Sequence, residues 1–219
     1  MYLDKMIADK TKITLSAKEL ELVCNSDWIL TKHTIINKVV QQFSEVLVTM
    51  QEITEQHKPH LPKEIFNKDA KISKGENYKG LPYIMLDYPR YFEKEKTLAI
   101  RTLFWWGNFF STSLQLEGNA KEAAVPNLLT NFLQLQQREY WLFVSDSPWQ
   151  HHFEEDNFVP MQSLTHTGFK ALITKKPFIK IGKKINLMQW DAMELFVVQS
   201  FTEMMGLLKT SCPGDEKGL

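Results

Sequence analysis

Arg101 is the residue with the most distinctive chemistry in this 219-residue chain. Only three of the 26 basic residues are arginines, and this one lies in residues 98–117, where apolar and polar residues alternate as they do in β-strands. An arginine cannot lose its proton in an apolar environment, so a buried one needs a carboxylate, carbonyl oxygens or a bound anion beside it. We therefore expect a negative group next to this side chain.

The environment of Arg101 depends on how residues 98–117 fold back as a hairpin. Gly107-Asn108 lies in the middle of this segment, and glycine at the first central position suits a two-residue type II′ turn. This turn pairs Trp105 with Phe110 and fixes the register of the two strands. The face that carries Arg101 is then mostly apolar, and we expect it to lie in the core. Its residues are Ala99, Arg101, Leu103, Trp105, Phe110, Thr112, Leu114 and Leu116.

Two hypotheses account for a buried Arg101. In the first, it forms an internal ion pair with one of four acidic residues, which are Asp87, Glu139, Asp146 and Asp191. In the second, it binds the carboxylate or phosphate of a small molecule in a pocket with aromatic walls. The predicted ligand-binding residues are Asp87, Tyr88, Arg101, Trp105, Phe110 and Thr112.

The predicted turn leaves a second aromatic pair, Trp106 and Phe109, on the opposite face of the hairpin. If no helix covers this pair, it forms an exposed patch suited to a protein partner or to a second copy of the chain in a homodimer. The alternative is that one of the predicted helices packs over both rings.

Histidines and acidic residues form a second group with possible chemistry. His151 and His152 precede the acidic run 154–156, and residues 57–60 have the sequence His-Lys-Pro-His. Adjacent histidines on a strand point to opposite faces, and the proline prevents the other two from sharing a helical face. Because none of these spacings is typical of a metal site, we predict no bound metal.

Motifs for common cofactors and nucleophiles are absent from the sequence. It has no G-x-G-x-x-G, no P-loop and no G-x-S-x-G, so we predict no cofactor. An enzymatic function remains the alternative to a binding module. Its acid/base site would draw on Arg101, His151, His152 and the acidic residues near them.

A lysine-rich segment follows the histidines. No acidic residue occurs between Asp156 and Asp191, and the lysines in this interval are Lys170, Lys175, Lys176, Lys180, Lys183 and Lys184. Basic strands with exposed aromatic rings bind single-stranded nucleic acid, but lysines also protect strand edges against aggregation. The formal net charge of zero favours the second interpretation, so nucleic acid is not a predicted partner.

The periodicity of apolar residues predicts an α+β fold with a mainly antiparallel sheet. A capping box at residues 16–19 begins a short helix, and apolar residues at three- and four-residue steps predict a long amphipathic helix over 31–56. Residues 57–80 are predicted to form a long exposed loop. The last helix, 190–208, is apolar almost all round and is predicted to be buried against the sheet.

Between these helices the pattern predicts strands and one further helix. Pro126 is placed in the first turn of a helix of about twelve residues. The predicted strands are 81–88, which ends at Pro89, the two strands of the hairpin 98–117, 140–144, 169–174 and 178–187.

The overall organisation is predicted to be one domain, 1–210, with a flexible tail at 211–219. Cys24 and Cys212 have neither a metal-binding spacing nor the pattern of a disulfide scaffold. A signal-peptide pattern and an apolar run of about 18 residues are both absent, so we expect a cytoplasmic protein with no membrane span. The sequence therefore predicts an intracellular module that binds a small anionic ligand or a protein partner.

Overall fold

The computed structural model describes residues 13–66 and 68–209, except the side chains of His60 and Glu64. The described residues form six α-helices and a seven-stranded antiparallel sheet, which confirms the predicted α+β fold class. Those up to Lys38 form one compact unit, and those from Val39 onward form another. The predicted tail, 211–219, lies outside the described residues.

The helices are α1 (Ala17–Cys24), α2 (Ser26–His57), α3 (Asn119–Thr130), α4 (Phe132–Gln137), α5 (His166–Lys175) and α6 (Met193–Leu207). The strands are β1 (Lys71–Tyr78), β2 (Leu81–Glu93), β3 (Lys96–Trp105), β4 (Phe109–Glu117), β5 (Trp141–Phe143), β6 (Phe158–Pro160) and β7 (Phe178–Asn186). Their order in the sheet is β1-β2-β3-β4-β7-β5-β6. None of the helices in the described part of the chain is long and apolar enough to cross a membrane.

Side-chain caps set the start of both N-terminal helices. The predicted capping box is present at α1: the Ser16 hydroxyl accepts from the Glu19 N–H at 3.3 Å, and the Glu19 carboxylate accepts from the Ser16 N–H at 2.7 Å. Asn25 follows α1, and its side-chain oxygen accepts from the Asp27 N–H at 3.1 Å. This cap begins α2 at Ser26, earlier than the apolar periodicity predicted.

The predicted apolar stripe of the long helix is confirmed within the unit that begins at Val39. The buried residues of α2 recur at three- and four-residue steps, as expected for one helical face. They are Val39, Phe43, Val46, Met50 and Thr54.

The prediction of an exposed loop over 57–80 was wrong for its second half. Two short 3₁₀ turns, Lys58–His60 and Lys63–Phe66, follow α2, and residues 71–78 form the edge strand β1. Only weak alternation marks this strand in the sequence, because most of its side chains remain partly or fully exposed. Edge strands are commonly polar in this way, which protects them from pairing with other chains.

Strand β2 continues beyond Pro89, where the sequence predicted its end. The Tyr88–Pro89 peptide bond is cis, and the pairing with β3 shifts register between Asp87 and Arg90. A proline is compatible with a strand at such an irregularity because no ladder hydrogen bond is needed from its nitrogen. The strand then extends to Glu93.

The predicted hairpin is present, but its register was wrong by one residue. Trp105 pairs with Phe109, so the loop has three residues, and Gly107 adopts a φ of 72° within it. The Asn108 N–H donates to the Trp105 carbonyl at 3.0 Å, which closes this loop, and the Trp106 N–H donates to the Pro82 carbonyl of β2 at 3.0 Å. A shift of one residue moves every β4 side chain to the opposite face relative to β3.

Two predictions for the second half of the chain were wrong, the strand at 169–174 and the position of Pro126. Residues 169–174 belong to helix α5, whose first turn is capped by the Thr165 hydroxyl accepting from the Gly168 N–H at 3.1 Å. Phe169 and Ile173, four residues apart, form its buried side. Pro126 lies inside α3 rather than in the first turn of a helix. The predicted strand at 178–187 and the closing helix are confirmed as β7 and α6.

The two faces of the sheet have different coverings. Helices α3 and α6 pack on β3 and β4, over an apolar face. The other face carries an aromatic core and is covered by residues 144–157, which we call the β5–β6 connection. Phe153 of this connection stacks on Phe158 with ring centroids 4.2 Å apart. The buried residues of the aromatic core are Met85, Leu103, Trp105, Phe109, Phe143, Phe153, Phe158 and Phe178.

Candidate functional site

Arg101 has an internal counter-anion. Asp87 lies directly opposite it on β2, and the Asp87 Oδ1 accepts from the Arg101 Nε at 2.8 Å, with both side chains 9% exposed. The rings of Phe92 and Trp149 lie 4.9 and 5.0 Å from the guanidinium carbon. The guanidinium is therefore paired within the fold, as in the first of the two hypotheses, although its Nη1 is buried without a hydrogen-bond partner.

Lys180 is a second buried basic residue on the same face of the sheet. It is 1% exposed, and its Nζ donates to the Pro148 carbonyl at 3.1 Å and to the Gln150 carbonyl at 2.5 Å. Burial, together with the nearby positive charge of Arg101, lowers the pKa of Lys180 well below its usual value. The amine thus ties the β5–β6 connection to the sheet through two of that connection's carbonyls.

Two histidines of the β5–β6 connection complete this polar cluster. The His151 Nδ1 lies 3.3 Å from the Lys180 Nζ, and burial, followed by the charge of Lys180, lowers the pKa of His151 well below its usual value. The Tyr78 hydroxyl accepts from the backbone N–H groups of His151 and His152 at 2.6 and 3.2 Å. Its oxygen also lies 2.9 Å from the His152 Nδ1. Tyr78 therefore holds the connection from β1.

The predicted ligand residues are not all brought together. Asp87, Arg101 and Trp105 share the face covered by the β5–β6 connection. The observed register puts Phe110 and Thr112 on the opposite face, since they pair with residues that alternate with Arg101. Tyr88 also lies away from Arg101, where its ring stacks on Phe201 at 6.2 Å and burial raises its pKa. The predicted aromatic pocket around Arg101 is therefore not formed.

The predicted exposed patch of Trp106 and Phe109 is not formed either. Phe109 is 8% exposed, and its ring packs edge-on against Trp105 at 5.4 Å and against Phe153 at 5.4 Å. Trp106 is half-buried and contacts Phe104 at 6.0 Å. The β5–β6 connection, rather than a helix, covers Phe109.

The lysines of residues 170–184 are divided among different surroundings. Lys180 is buried, Lys183 lies 3.5 Å from the Glu203 carboxylate, and the Nζ of Lys184 lies 5.1 Å above the ring of Trp141. Lys176 pairs with Asp146 at 2.9 Å. These side chains do not form the continuous basic ribbon that single-stranded nucleic acid requires.

A groove between α4 and α6 contains ionisable groups that the sequence did not single out. Its cavity volume is about 610 Å³. We call it the Arg138 groove, and its lining residues are Asn131, Gln134, Leu135, Arg138, Tyr140, Val198, Gln199, Thr202, Glu203, Gly206 and Leu207. Gly206 leaves open space in the groove, since a Cβ at this position would meet no atom within 4 Å.

The end of α4 positions Arg138 and Tyr140 at this groove. The Tyr140 N–H donates to the Leu135 carbonyl and the Glu139 N–H to the Gln136 carbonyl, both at 3.0 Å, which is the hydrogen-bond pattern of a Schellman motif. Glu139 takes the left-handed position of the motif, with a φ of 58°. This turn reverses the chain so that the residues on either side of Glu139 both line the groove.

One carboxylate in the groove is shared by two basic residues and a phenol. The Glu203 Oε2 accepts from the Tyr140 hydroxyl at 2.8 Å and lies 3.5 Å from the Lys183 Nζ. Its Oε1 lies 3.4 Å from Arg138, whose side chain is 49% exposed. Burial raises the pKa of Tyr140 well above its usual value, and Glu203 raises it further, so the phenol stays neutral. The group therefore carries an excess of one positive charge.

A second cavity, of about 410 Å³, lies at the start of α3, where Pro62, Tyr91 and Leu98 are among its lining residues. Its acidic residue, Glu117, accepts a hydrogen bond from the Thr97 hydroxyl at 3.3 Å. The residues of the Arg138 groove show the closer convergence of ionisable groups, so we take that groove as the candidate site. Its lining residues come from 131–140 and 198–207, and Lys183 of β7 contacts its carboxylate. The scarcity of arginine was the one sequence feature that distinguished Arg138.

In comparisons with known proteins, no family model, curated protein or solved structure matches this chain.

Proposed function

We propose that this protein is a binding module for a small anionic molecule and that the ligand occupies the Arg138 groove. The observation that carries this proposal is the shared carboxylate: Glu203 neutralises only one of the two basic residues beside it, Arg138 and Lys183. A carboxylate or phosphate group would supply the missing negative charge and would accept two parallel hydrogen bonds from the guanidinium.

The dimensions and lining of the groove suit a small polar ligand. Its volume of about 610 Å³ lies within the range of about 300–1,000 Å³ that is usual for small-molecule sites. The amide groups of Asn131, Gln134 and Gln199 offer both donors and acceptors to the rest of the ligand. Because Arg138 is half exposed, its present ion pair is worth little, and the guanidinium can turn towards a ligand at small cost.

The other hypotheses have less support. An enzyme that uses Arg101 and His151 would need an accessible cleft beside them. Arg101 and the neighbouring Lys180 are 7% and 1% exposed, and neither cavity described above is lined by these residues. A protein partner or homodimer was inferred from an exposed Trp106–Phe109 pair, and Phe109 is buried. We keep the cytoplasm as the proposed compartment on the spacing of the cysteines alone.

Thermal denaturation with inorganic phosphate and with succinate, each at constant ionic strength against chloride, tests the proposal. A ligand at about 100 times its Kd adds about 2.7 kcal/mol of stability. For a chain of this size, that corresponds to a rise in Tm of about 5–10 °C. We expect at least one probe to produce such a rise and to show saturable binding in calorimetry.

Three variants assign the binding to the groove. Arg138→Met should abolish the rise, whereas Glu203→Gln should strengthen binding because it removes the competing negative charge while keeping an acceptor for Tyr140. Gly206→Leu should block the groove without unfolding α6, since leucine is a good helix former and the position faces open space.

Arg90→Met is the matched control, because Arg90 is a half-buried arginine outside the groove whose Nε donates to the Asp69 carbonyl. It should leave the ligand-dependent rise unchanged. The proposal is refuted if neither probe gives a rise beyond that of chloride, or if Arg138→Met and Gly206→Leu bind as well as the native chain.

A further inference from the structure

His152, Glu154 and Asp156 form a cluster in the β5–β6 connection, and none of them lines the Arg138 groove. Each offers one potential ligand atom, and these atoms lie within 4.8 Å of one another. The sequence prediction of no metal site rested on His151 and His152 pointing to opposite faces of a strand. These residues lie instead in an irregular connection, where alternate positions 152, 154 and 156 converge.

The His152 ring provides an observation that is independent of the acidic residues. The residue is 3% exposed, and its Nε2 is buried without a hydrogen-bond partner. This nitrogen points at the cluster, 3.4 Å from the Asp156 Oδ1. A buried ring nitrogen without a partner loses the hydration it would have in water, so it indicates a missing group at this position.

The other ring nitrogen is held by the fold. The His152 Nδ1 lies 2.9 Å from the Tyr78 hydroxyl, and the Asn157 side chain donates to the His152 carbonyl at 2.5 Å. The connection is also closed by the Asn157 N–H, which donates to the Glu154 carbonyl at 2.9 Å. The Tyr78 hydroxyl already accepts from two backbone N–H groups, so it donates its proton to Nδ1 and the ring proton lies on Nε2. The contact fixes the orientation of the ring, and an ion that binds Nε2 must displace this proton.

The distances suit a small divalent ion. Two ligands at about 2.1 Å from a tetrahedral zinc ion lie about 3.4 Å apart. The His152 Nε2 and Asp156 Oδ1 already have this separation of 3.4 Å. Glu154 now pairs with Lys79 at 2.9 Å, but their side chains are 62% and 42% exposed, so this ion pair costs little to break.

From this arrangement we propose that His152, Glu154 and Asp156 bind one divalent transition-metal ion of the zinc type through one imidazole nitrogen and two carboxylates. This donor set suits borderline ions such as Zn²⁺ and Co²⁺ better than Ca²⁺ and Mg²⁺, which prefer oxygen ligands throughout. Three protein ligands would leave a fourth position for water. The proposal is independent of ligand binding in the Arg138 groove.

Calorimetric titration of the full chain with Zn²⁺, and absorption spectra with Co²⁺, test this site. Glu154→Gln and Asp156→Asn change exposed side chains, so they should fold normally. Each should weaken the Kd for Zn²⁺ by tenfold or more and reduce the visible bands of tetrahedral Co²⁺. Glu155→Gln is the matched control, since Glu155 lies between the two ligands, is exposed and is not part of the cluster.

We expect the native chain and Glu155→Gln to bind one ion with equal affinity. Absence of stoichiometric Zn²⁺ binding by the native chain would overturn the proposal. It would also be overturned if Asp156→Asn and Glu154→Gln bound Zn²⁺ as tightly as the native chain, because the ion would then be held elsewhere. Equal weakening in all three variants would indicate a general effect of acidic charge and would likewise refute the site.

Discussion

Loss of Asp87 should destabilise the fold more than loss of Arg101, although the two residues form one ion pair. Asp87→Asn keeps a side-chain oxygen that can accept from the Arg101 Nε, so the variant removes the negative charge and little else. Arg101 cannot then lose its proton, and a buried arginine without a counter-anion remains. Removing one partner of a buried pair costs about 3–5 kcal/mol, and we expect Asp87→Asn to lie in that range.

Arg101→Met has a different outcome because Lys180 is nearby. Arg101 contributes to the lowered pKa of Lys180, whereas Asp87 acts to raise it. When Arg101 is replaced, the positive charge that disfavours protonation of Lys180 is removed, so Lys180 can serve as the cation that Asp87 needs. Asp87 and Lys180 interact electrostatically without direct contact, so Lys180 should offset part, and not all, of the lost attraction. We expect Arg101→Met to cost only about 1–3 kcal/mol.

Urea denaturation at pH 7 measures both effects. Arg90→Met is the control for loss of an arginine from β2, and it should cost less than about 1 kcal/mol, as expected for a partly exposed residue. The double variant Arg101→Met/Lys180→Met should be less stable than the sum of its single effects predicts, since it removes both cations that can pair with Asp87. Equal destabilisation by Arg101→Met and Asp87→Asn, or an additive double variant, would show that Lys180 does not replace Arg101 as the partner of Asp87.

Three further outcomes follow from the structure. In the unfolded chain a lysine keeps its proton up to about pH 10.4, whereas burial lowers the pKa of Lys180 in the fold, so the unfolded state binds more protons. The native chain should therefore gain stability relative to Lys180→Met as the pH rises towards about 10, with a slope of at most about 1.4 kcal/mol per pH unit. A constant difference between their urea midpoints over this rise would show that the folded lysine keeps its proton. Glu139→Gly should raise the free energy of unfolding by about 0.5–1 kcal/mol in chemical denaturation, because glycine adopts the left-handed φ of 58° more easily than glutamate. A lower free energy of unfolding would contradict this account of the turn. Phe153→Ala should lower the free energy of unfolding by about 3–5 kcal/mol in the same assay, because the residue is 7% exposed and its ring stacks on Phe158. A loss below about 1 kcal/mol would show that the β5–β6 connection contributes little to the core.

The fold class and the long helices could be predicted because their signals are local. The capping box of α1 and the apolar stripe of α2 each depend on residues a few positions apart, and both are present in the structure. Residues 169–174 were less clear, since a short apolar segment fits either a strand or a helix. The decisive feature is the Thr165 cap, whose hydroxyl begins helix α5.

The hairpin register could have been recognised from the sequence. In the predicted register, with a two-residue turn, apolar residues of β3 would pair with polar residues of β4 on one face of the hairpin. On the other face, Arg101 would lie among apolar residues. The observed three-residue loop pairs Phe104 with Phe110 and Arg101 with Ser113, so that apolar residues face the helices together. Of two registers with acceptable turns, the one that keeps each face uniform buries more apolar surface.

The candidate binding groove could not be predicted, because it depends on contacts that no local pattern encodes. Arg138 and Tyr140 follow α4, Lys183 lies on β7 and Glu203 lies on α6, so their convergence requires the whole arrangement of helices on the sheet. Arg101 was predicted as a ligand-binding residue because its strand pattern places it in the core. A buried charge, however, needs a counter-ion within the fold, and Asp87 supplies it. A ligand needs a charge that is only partly neutralised and still accessible, and Arg138 meets both conditions, since it is half exposed and shares its carboxylate with Lys183.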